Sequence, residues 1–293
     1  MGIDRRAELR GPDLLPRLLA DPATRVLRLR GTVAAVHTES PESVRLVLVP
    51  PEPSDTDRLA VYLGEADGVS YVGVVHPAPD KETAGLRSLR ETGAFLDDLG
   101  ASLFATTQAL ANWHGTHGFC PRCGNPTEPA LSGWVRHCAA DGSDHYPRTD
   151  MAVIMAVVDD DDRILLARNR GFRGRGMSVL AGFVEPGETL AAAVAREVGE
   201  EVGVRVRDVT YLGDQPWPFP ASLMVGFTAR ATGTGLTLQD EEIASARWFT
   251  RDELVAAVAD ESVVVPGRVS IARRLIEHWF GGPLDAPEVF SLR

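Results

Sequence analysis

The chain has 293 residues, enough for two domains of ordinary size, with 24% charged and 44% hydrophobic residues. This balance is typical of a soluble globular protein. The net charge of −11 argues against a broad basic surface for nucleic-acid backbone, although a phosphate-bearing substrate at one metal site stays compatible with it. No apolar run reaches the roughly 18 residues that span a bilayer, and the N-terminus lacks an apolar signal core. We therefore expect a cytoplasmic protein with no membrane partner.

Residues 1–115 combine strand-like segments with a later helical one. Runs with partial alternation, or rich in β-branched and aromatic residues, predict four strands: Thr24–Arg30, Ser43–Val49, Arg58–Leu63 and Val69–Val75. The pattern becomes helical over Leu86–His114, with one predicted buried stripe: Leu99, Leu103, Leu110 and Trp113. These patterns predict an α+β N-terminal accessory domain that carries no chemistry of its own.

Three cysteines lie in the segment 116–148. Cys120 and Cys123 form a Cys-x-x-Cys pair, and Cys138 follows with the spacing of a zinc ribbon, which favours a thiol metal site over a disulfide framework. A complete ribbon has a fourth cysteine three residues further on, where this chain has an aspartate. The candidate fourth zinc ligands are Asp141, His137 and His145. A ribbon that keeps its turns without binding zinc is the other interpretation.

Residues 149–293 have the pattern of a compact catalytic domain. The continuous apolar run Ala152–Val158 predicts a buried strand, and Arg163–Ala167 predicts the strand that returns beside it. Four aspartates, Asp159–Asp162, separate the two. We interpret them as a solvated hairpin tip rather than a metal site, because adjacent side chains on a short turn point apart.

The stretch from Gly182 to Val204 is organised as a loop, a helix and a stop. Turn-forming glycines and a proline precede Leu190–Val202, which is rich in alanine and free of proline. Gly203 follows where a helix favours a left-handed C-cap, and Thr189 or Glu188 can satisfy the free N–H groups of the first turn.

Three carboxylates crowd one face of this predicted helix. Glu197, Glu200 and Glu201 lie at i, i+3 and i+4, where like charges repel each other. A hard divalent cation with oxygen ligands converts that repulsion into binding energy, whereas an acidic solvated face is the alternative for an isolated Glu-x-x-Glu-Glu. The whole stretch, GFVEPGETLAAAVAREVGEEVGV, resembles the signature of the Nudix hydrolases, which act on nucleoside diphosphates linked to another moiety.

A second motif narrows the resemblance. Residues 214–222 read DQPWPFPAS, where three prolines interleave with Trp217 and Phe219 and fix an extended loop. Rigid aromatic rings suit stacking on a base or a nicotinamide ring, and a proline-stiffened hydrophobic plug is the other interpretation. The stretch resembles the SQPWPFPxS element of the NADH pyrophosphatase branch of the Nudix family, with Asp214 in place of its first serine.

The C-terminal part predicts two strands and two helices: Leu223–Arg230, Ala246–Phe249, Asp252–Ala259 and Ser270–Trp279. The second helix carries a predicted buried face: Ile271, Leu275, Ile276 and Trp279.

The resemblance implies an α+β chain in three parts. Residues 149–293 would form a Nudix α/β/α sandwich with a mixed sheet, preceded by a zinc-ribbon-like segment and the N-terminal α+β domain. The implied activity is metal-dependent hydrolysis of NADH, and of NAD⁺, to a nicotinamide mononucleotide and AMP by a homodimer. Removal of NAD caps from RNA 5′ ends is an alternative activity. A catalytically inactive nucleotide sensor is the alternative of another class, which the complete set of metal carboxylates disfavours.

The resemblance also assigns roles to particular residues. Mg²⁺ or Mn²⁺ would be held by four carboxylates: Glu197, Glu200, Glu201 and Glu242. Glu201 would act as general base, and Arg196 would orient the carboxylates through hydrogen bonds. The nucleotide pocket would be shaped by Phe183, Tyr146, Gln215, Trp217, Phe219, Ser222 and the backbone of Ala272. A partner subunit would contribute further residues.

Overall fold

The computed structural model describes residues 2–40, 42–81, 83–172, 174–239 and 241–289. The chain divides into two compact units. The first comprises residues 1–149 and 217–221, and the second comprises residues 150–216 and 222–293. Within the described ranges, no helix is both long enough and apolar enough to cross a membrane.

Among its described residues, the first unit has three α-helices, α1 (Leu14–Ala20), α2 (Leu89–Thr92) and α3 (Asp98–Thr116). Its strands are β1 (Arg25–Arg30), β2 (Val33–Ser40), β3 (Ser43–Leu46), β4 (Leu59–Ala66), β5 (Val69–His76), β6 (Leu86–Ser88), β7 (Glu128–Ala130), β8 (Val135–His137) and β9 (Asp144–His145).

The second unit starts from β10 (Asp150–Val158), β11 (Ile164–Asn169) and β12 (Leu180–Phe183). It continues with α4 (Leu190–Val202), β13 (Val206–Trp217), β14 (Ser222–Ala231), β15 (Ile243–Phe249), α5 (Arg251–Ala259) and α6 (Ile271–Phe280). Strand β13 ends at Trp217, and this residue already belongs to the first unit.

A mixed sheet with helices on both faces forms the centre of the first unit. Its strand order is β3-β2-β1-β5-β4, with β6 beside β2, and β1 and β5 run parallel. Neighbouring residues of a strand face opposite sides, so Leu27 and Leu29 join the core that contains α3, while Val26 joins the core that contains α1. A separate antiparallel sheet, β7-β8-β9, carries the cysteine segment.

The helical stripe predicted for the first unit is confirmed on α3, where every member lies in the core or packs against it: Leu99, Leu103, Leu110 and Trp113. The prediction that this helix starts at Leu86 is wrong, because Leu86–Ser88 pairs with β2 as β6. Ser88 then caps α2 and Asp97 caps α3, each accepting a hydrogen bond from the backbone N–H three residues later. The two caps divide the segment.

The second unit is the predicted α/β/α sandwich on a mixed sheet. The strand order is β13-β14-β10-β11-β15, with β12 beside β10, and β10 and β14 run parallel. Alternate residues of β10 enter two different cores: Val153 packs in the core with α4, whereas Ile154 packs in the core with α5 and α6. All four residues of the predicted face on α6 are buried: Ile271, Leu275, Ile276 and Trp279.

The predicted solvated hairpin tip, Asp159–Asp162, connects β10 and β11. Its first residue is buried, unlike the prediction. Asp159 is only 2% exposed. Its carboxylate accepts hydrogen bonds from the backbone N–H groups of Asp161 and Arg163 and pairs with the guanidinium of Arg163 at 2.7 Å. The carboxylate closes the turn on itself, so only Asp160 and the two aspartates after it are exposed.

Candidate functional site

Helix α4 carries the predicted acidic face, and local signals explain both of its ends. The hydroxyl of Thr189 accepts a hydrogen bond from the N–H of Ala192, and Gly203 ends the helix with a left-handed φ of 72°. The predicted bounds Leu190–Val202 are therefore confirmed. Between these ends the helix period places Glu197 and Glu201 on the same side.

Arg196 connects this helix to the loop that precedes it. Its Nε and one terminal nitrogen donate to the two oxygens of Glu188, both at 2.9 Å. Its other terminal nitrogen donates to Glu197 at 2.9 Å and to Glu200 at 3.0 Å, and Nη2 also donates to the carbonyl of Phe183. Hydrogen bonding from Arg196 lowers the pKa of Glu188. The Glu188 carboxylate therefore stays ionised and paired with the Arg196 guanidinium.

Glu201 is the buried member of the carboxylate cluster. It is 5% exposed, and its Oε2 has no hydrogen-bond partner among the described residues. Burial, followed by the charges of Glu242 and Glu197, raises the pKa of Glu201 to about 8. Burial likewise raises the pKa of Glu197. Buried, mutually repelling carboxylates with a free oxygen fit a hard divalent cation, which would supply the missing opposite charge.

Gly182 on β12 makes room for this cluster. A Cβ atom at this position would lie 1.8 Å from the carboxyl carbon of Glu197 and about as close to both of its oxygens. Any larger residue would therefore displace the Glu197 carboxylate. This close approach is the physical reason for a glycine at the start of the signature.

Glu242 lies just before β15. The side-chain amide of Asn169 donates to Glu242 Oε1 at 3.4 Å, and the carbonyl of Glu242 accepts the N–H of Arg170 at 2.8 Å. Asn169 is itself held by the N–H of Gly171, which donates to its Oδ1. Asn169 was not predicted as a site residue, since a single asparagine at a strand end gives no sequence signal for this contact.

Three cysteines and an aspartate form the second cluster. Ligand atoms of Cys120, Cys123, Cys138 and Asp141 all lie within 4.8 Å of one another. The two turns that carry them are equivalent: the N–H of Gly124 donates to the carbonyl of Cys120, and the N–H of Gly142 donates to the carbonyl of Cys138. Asp141 therefore occupies, in its turn, the position that Cys123 has in the other.

The two histidines considered as fourth ligands make other contacts. The Nδ1 of His137 lies 2.7 Å from a carboxylate oxygen of Asp144, and His145 Nε2 lies 3.0 Å from the hydroxyl of Ser143. The aspartate is thus the fourth member of the cluster. Three sulfur atoms and one carboxylate oxygen at this separation are a donor set that suits tetrahedral zinc.

Hydrogen bonds prepare two members of the cysteine cluster, Cys120 and Asp141, for a cation, whereas burial raises the pKa of Cys138 to about 11. Burial raises the pKa of Cys120, but hydrogen bonds from Ser143 and from backbone N–H groups outweigh it and lower that pKa to about 6. Hydrogen bonds from Ser143 lower the pKa of Asp141 as well. Thiolate and carboxylate are the forms that bind metal.

Comparison with known sequences finds a family match for the segment of each cluster. Residues 148–267 match the family described as NUDIX domain, and residues 116–146 match the family described as NADH pyrophosphatase zinc ribbon domain. Proteins named NAD-capped RNA hydrolase NudC from Mycobacterium bovis and Mycobacterium tuberculosis are 44% identical over 235 residues, which cover 75% of this chain and 75% of each relative. The chain belongs to the NADH pyrophosphatase branch of the Nudix hydrolase family.

A more distant relative spans more of this Nudix hydrolase. The Homo sapiens protein named NAD-capped RNA hydrolase NUDT12 is 33% identical over 287 residues, covering 88% of this chain and 62% of that protein. The similarity therefore extends beyond the Nudix and ribbon segments.

Four of the residues predicted to shape the nucleotide pocket lie in the second unit of the hydrolase. Phe183 is 61% exposed on β12, and Ser222 starts β14 opposite Asp150. The Gln215 amide is engaged at both ends: Nε2 donates to the Val269 carbonyl and Oε1 accepts the Ile271 N–H, each at 2.7 Å. The fourth residue is Ala272.

Ala272 and Gln215 thus belong to one local arrangement at the start of α6. The side chain of Ala272 is buried, and its N–H donates to the capping hydroxyl of Ser270. Gln215 fixes the residues on either side of that cap. Direct contact of either residue with substrate stays a prediction.

The other three predicted pocket residues lie in the first unit. Tyr146 is 66% exposed. The rings of Trp217 and Phe219 meet edge to face, with centroids 5.0 Å apart, and Phe219 packs against the core of this unit. The loop is therefore a packed, rigid element, and a role in nucleotide stacking stays a prediction.

Proposed function

We propose that this Nudix hydrolase cleaves the pyrophosphate bond of NADH, and of NAD⁺, to a nicotinamide mononucleotide and AMP. The observation that carries the proposal is the buried carboxylate of Glu201, whose Oε2 has no hydrogen-bond partner in the part of the chain that the structure describes and which lies among other acidic side chains. Such a group is costly unless a cation compensates it. The DQPWPFPAS motif supports a dinucleotide as the substrate class.

Mg²⁺ or Mn²⁺ is the proposed cofactor, held by Glu197, Glu200, Glu201 and Glu242. When bound, it neutralises the charge of the diphosphate and acidifies water. Glu201 is the proposed general base. Arg196 keeps Glu197 and Glu200 in place through the hydrogen bonds described above, without contacting the substrate itself.

A second activity is supported by the relatives. Both mycobacterial proteins and the Homo sapiens protein are named NAD-capped RNA hydrolases. An NAD cap presents the same pyrophosphate bond, so the same carboxylates would serve. We propose removal of NAD caps from RNA as the alternative activity.

The remaining parts of the proposal concern the cysteine cluster, the oligomeric state, the location and the domain bounds. We infer that Cys120, Cys123, Cys138 and Asp141 bind a structural zinc ion, which the matching ribbon family and the donor set support. Homodimerisation stays a prediction from the resemblance, and a cytoplasmic location and the division at residues 115 and 148 stay predictions from the sequence pattern.

The test is hydrolysis by the purified full chain with Mg²⁺ or Mn²⁺, using NADH, ADP-ribose and NAD-capped RNA in parallel. Products are separated chromatographically, with EDTA as the metal-free control. Appearance of reduced nicotinamide mononucleotide and AMP only with metal, with NADH preferred over ADP-ribose, is the expected result. A preference for ADP-ribose would contradict the assigned substrate. Turnover of capped RNA alone would establish the second activity in place of the first.

A further inference from the structure

The five residues Trp217–Ala221 lie within the first unit, although their neighbours on both sides belong to the second. Two of these residues, Pro218 and Pro220, lack an N–H group, so the segment cannot form a regular hydrogen-bonded ladder. Its own backbone supplies one short bond, from the N–H of Phe219 to the carbonyl of Trp217 at 2.7 Å. The carbonyls of the prolines need donors from elsewhere.

Asn112, on α3, supplies these donors. Its Nδ2 donates to the carbonyl of Pro218 at 3.0 Å and to the carbonyl of Pro220 at 2.9 Å. Each of the two amide hydrogens thus has one acceptor. The two bonds hold the residues on either side of Phe219.

Gln108 fixes the orientation of that amide. It lies one helical turn before Asn112, is 1% exposed, and donates from Nε2 to Asn112 Oδ1 at 2.7 Å. The Asn112 oxygen therefore faces α3, and its NH₂ group faces the motif. The arrangement is set by a buried partner rather than by solvent.

Arg90, on α2, holds the aromatic rings of the same motif. Its guanidinium carbon lies 3.8 Å from the centroid of the Phe219 ring and 4.8 Å from that of the Trp217 ring. Both distances are within the range of a cation–π contact. One cation therefore fixes the two rings relative to each other, while Asn112 fixes the backbone between them.

We propose that Asn112 and Arg90 are positioning residues for nicotinamide recognition, because they hold the backbone and the aromatic rings of the DQPWPFPAS motif. This inference rests on the proposed function, in which Trp217 and Phe219 contact the nucleotide. It is compatible with the expectation that the N-terminal domain carries no chemistry of its own, because both residues act through the motif and not on the reacting atoms. A substrate that lacks the nicotinamide ring, such as ADP-ribose, does not depend on the ring positions to the same extent.

The test compares the wild-type full chain with Asn112→Asp and Arg90→Met. Aspartate has the size of asparagine but presents oxygens to the two carbonyls, and methionine keeps an extended side chain without the charge. Loss of two hydrogen bonds is expected to raise the KM for NADH about tenfold in Asn112→Asp, with kcat within about twofold. Arg90→Met is expected to raise the KM for NADH about threefold. The KM for ADP-ribose should stay within about twofold for both variants.

Two controls separate specificity from folding. Thr106→Val removes a hydroxyl on α3 that contacts Arg5 and not the motif, and it should leave both KM values unchanged. Hydrogen–deuterium exchange of the peptide that covers residues 217–222 measures the loop without any substrate. Faster exchange is expected in Asn112→Asp, with wild-type circular dichroism.

The outcomes distinguish this inference from the proposed function. If the wild type hydrolyses NADH and the ratio of the two KM values is unchanged in both variants, the inference is overturned and the proposed function stands. Unchanged exchange in Asn112→Asp overturns the inference that Asn112 holds the loop, whichever substrate is used. Wild-type protein that turns over ADP-ribose but not NADH overturns the proposed function and the nicotinamide assignment, whereas the exchange result still decides whether Asn112 holds the loop.

Discussion

The carboxylate cluster of the second unit and the cysteine cluster of the first are built in different ways. Three of the four carboxylates come from one 13-residue helix, and their mutual placement follows from the helix period. The four residues of the other cluster come from two equivalent turns, closed by the backbone N–H groups of Gly124 and Gly142. One cluster is positioned by a regular element, and the other by turn geometry.

This difference extends to what holds each cluster in place. Arg196 neutralises and orients Glu188, Glu197 and Glu200 through side-chain hydrogen bonds, so part of the acidic site is organised by the protein itself. The cysteine segment has only short strands, and a small segment of this kind commonly depends on its metal for stability. Changes in the first cluster should therefore affect catalysis, and changes in the second should affect folding.

The largest effect is expected for Glu201→Gln. Removing the buried carboxylate should lower kcat for NADH by about 10²- to 10⁴-fold, the range that a general base contributes. Because the substitution also removes a repelling charge, the melting temperature without added metal should not fall. Glu241→Gln, an exposed neighbour of the cluster, is the matched control and should keep wild-type turnover. Near-normal turnover of Glu201→Gln would show that the assigned role is wrong.

Gly182→Ala should reduce activity without changing any carboxylate. The added Cβ would lie 1.8 Å from the carboxyl carbon of Glu197, so that side chain must move. A displacement near 1 Å at a catalytic site costs on the order of 10²-fold in rate. Steady-state kinetics over a range of Mg²⁺ concentrations measures the loss. Gly199→Ala is the control: Gly199 lies on α4, and its added Cβ would meet no atom within 4 Å apart from its chain neighbours and its own helix backbone, so activity should be retained.

The sequence predicted the helix of the acidic cluster completely because all of its signals are local. Thr189 and Gly203 cap it, and the spacing of the glutamates fixes their shared face. The same kind of signal was present but not used at Ser88 and Asp97, whose capping bonds divide the predicted helix of the first unit. Local patterns thus determine elements, including their ends.

The contacts that hold the DQPWPFPAS motif in place could not be predicted in this way. Asn112 bonds to carbonyls 106 and 108 positions away, and Gln215 to backbone groups 54 and 56 positions away. Such contacts arise only from the packing of distant segments, which no spacing within one segment reveals. The fourth member of the cysteine cluster was an intermediate case, because the turn spacing favoured Asp141 but two histidines were close in sequence.

Cys138→Ser tests whether the cysteine cluster acts through folding. Loss of one thiolate should abolish zinc retention, and the melting temperature should fall by about 2–4 °C for each kcal/mol of lost stability. Zinc content is measured by mass spectrometry of metal ions, together with thermal unfolding. Asp141→Cys, which would supply a fourth thiolate, should retain zinc and at least the wild-type stability. Loss of turnover without loss of stability in Cys138→Ser would contradict the expectation that changes in the cysteine cluster affect folding rather than catalysis.

The smallest expected effect concerns His114, which fastens α3 to the cysteine segment. Its Nε2 lies 2.9 Å from the carbonyl of Gly133, and its Nδ1 lies 3.0 Å from the guanidinium of Arg136. The first contact requires a proton on Nε2, and the second requires Nδ1 to accept from Arg136. Only the neutral ring satisfies both. Burial, together with the charge of Arg136, lowers the pKa of His114.

The folded protein therefore binds fewer protons at His114 than the unfolded chain does. The stability that the neutral ring contributes is complete above the ordinary histidine pKa of about 6.5, and it is lost as the pH falls through the lowered value. Urea unfolding at pH 7.5 and pH 5.5 should show a drop in midpoint for the wild type. His114→Gln, whose amide can donate at one end and accept at the other, should show a smaller drop, while exposed His37→Gln should match the wild type. An equal drop in all three proteins would mean that acid weakens the chain elsewhere, and that the neutral His114 ring does not stabilise the cysteine segment.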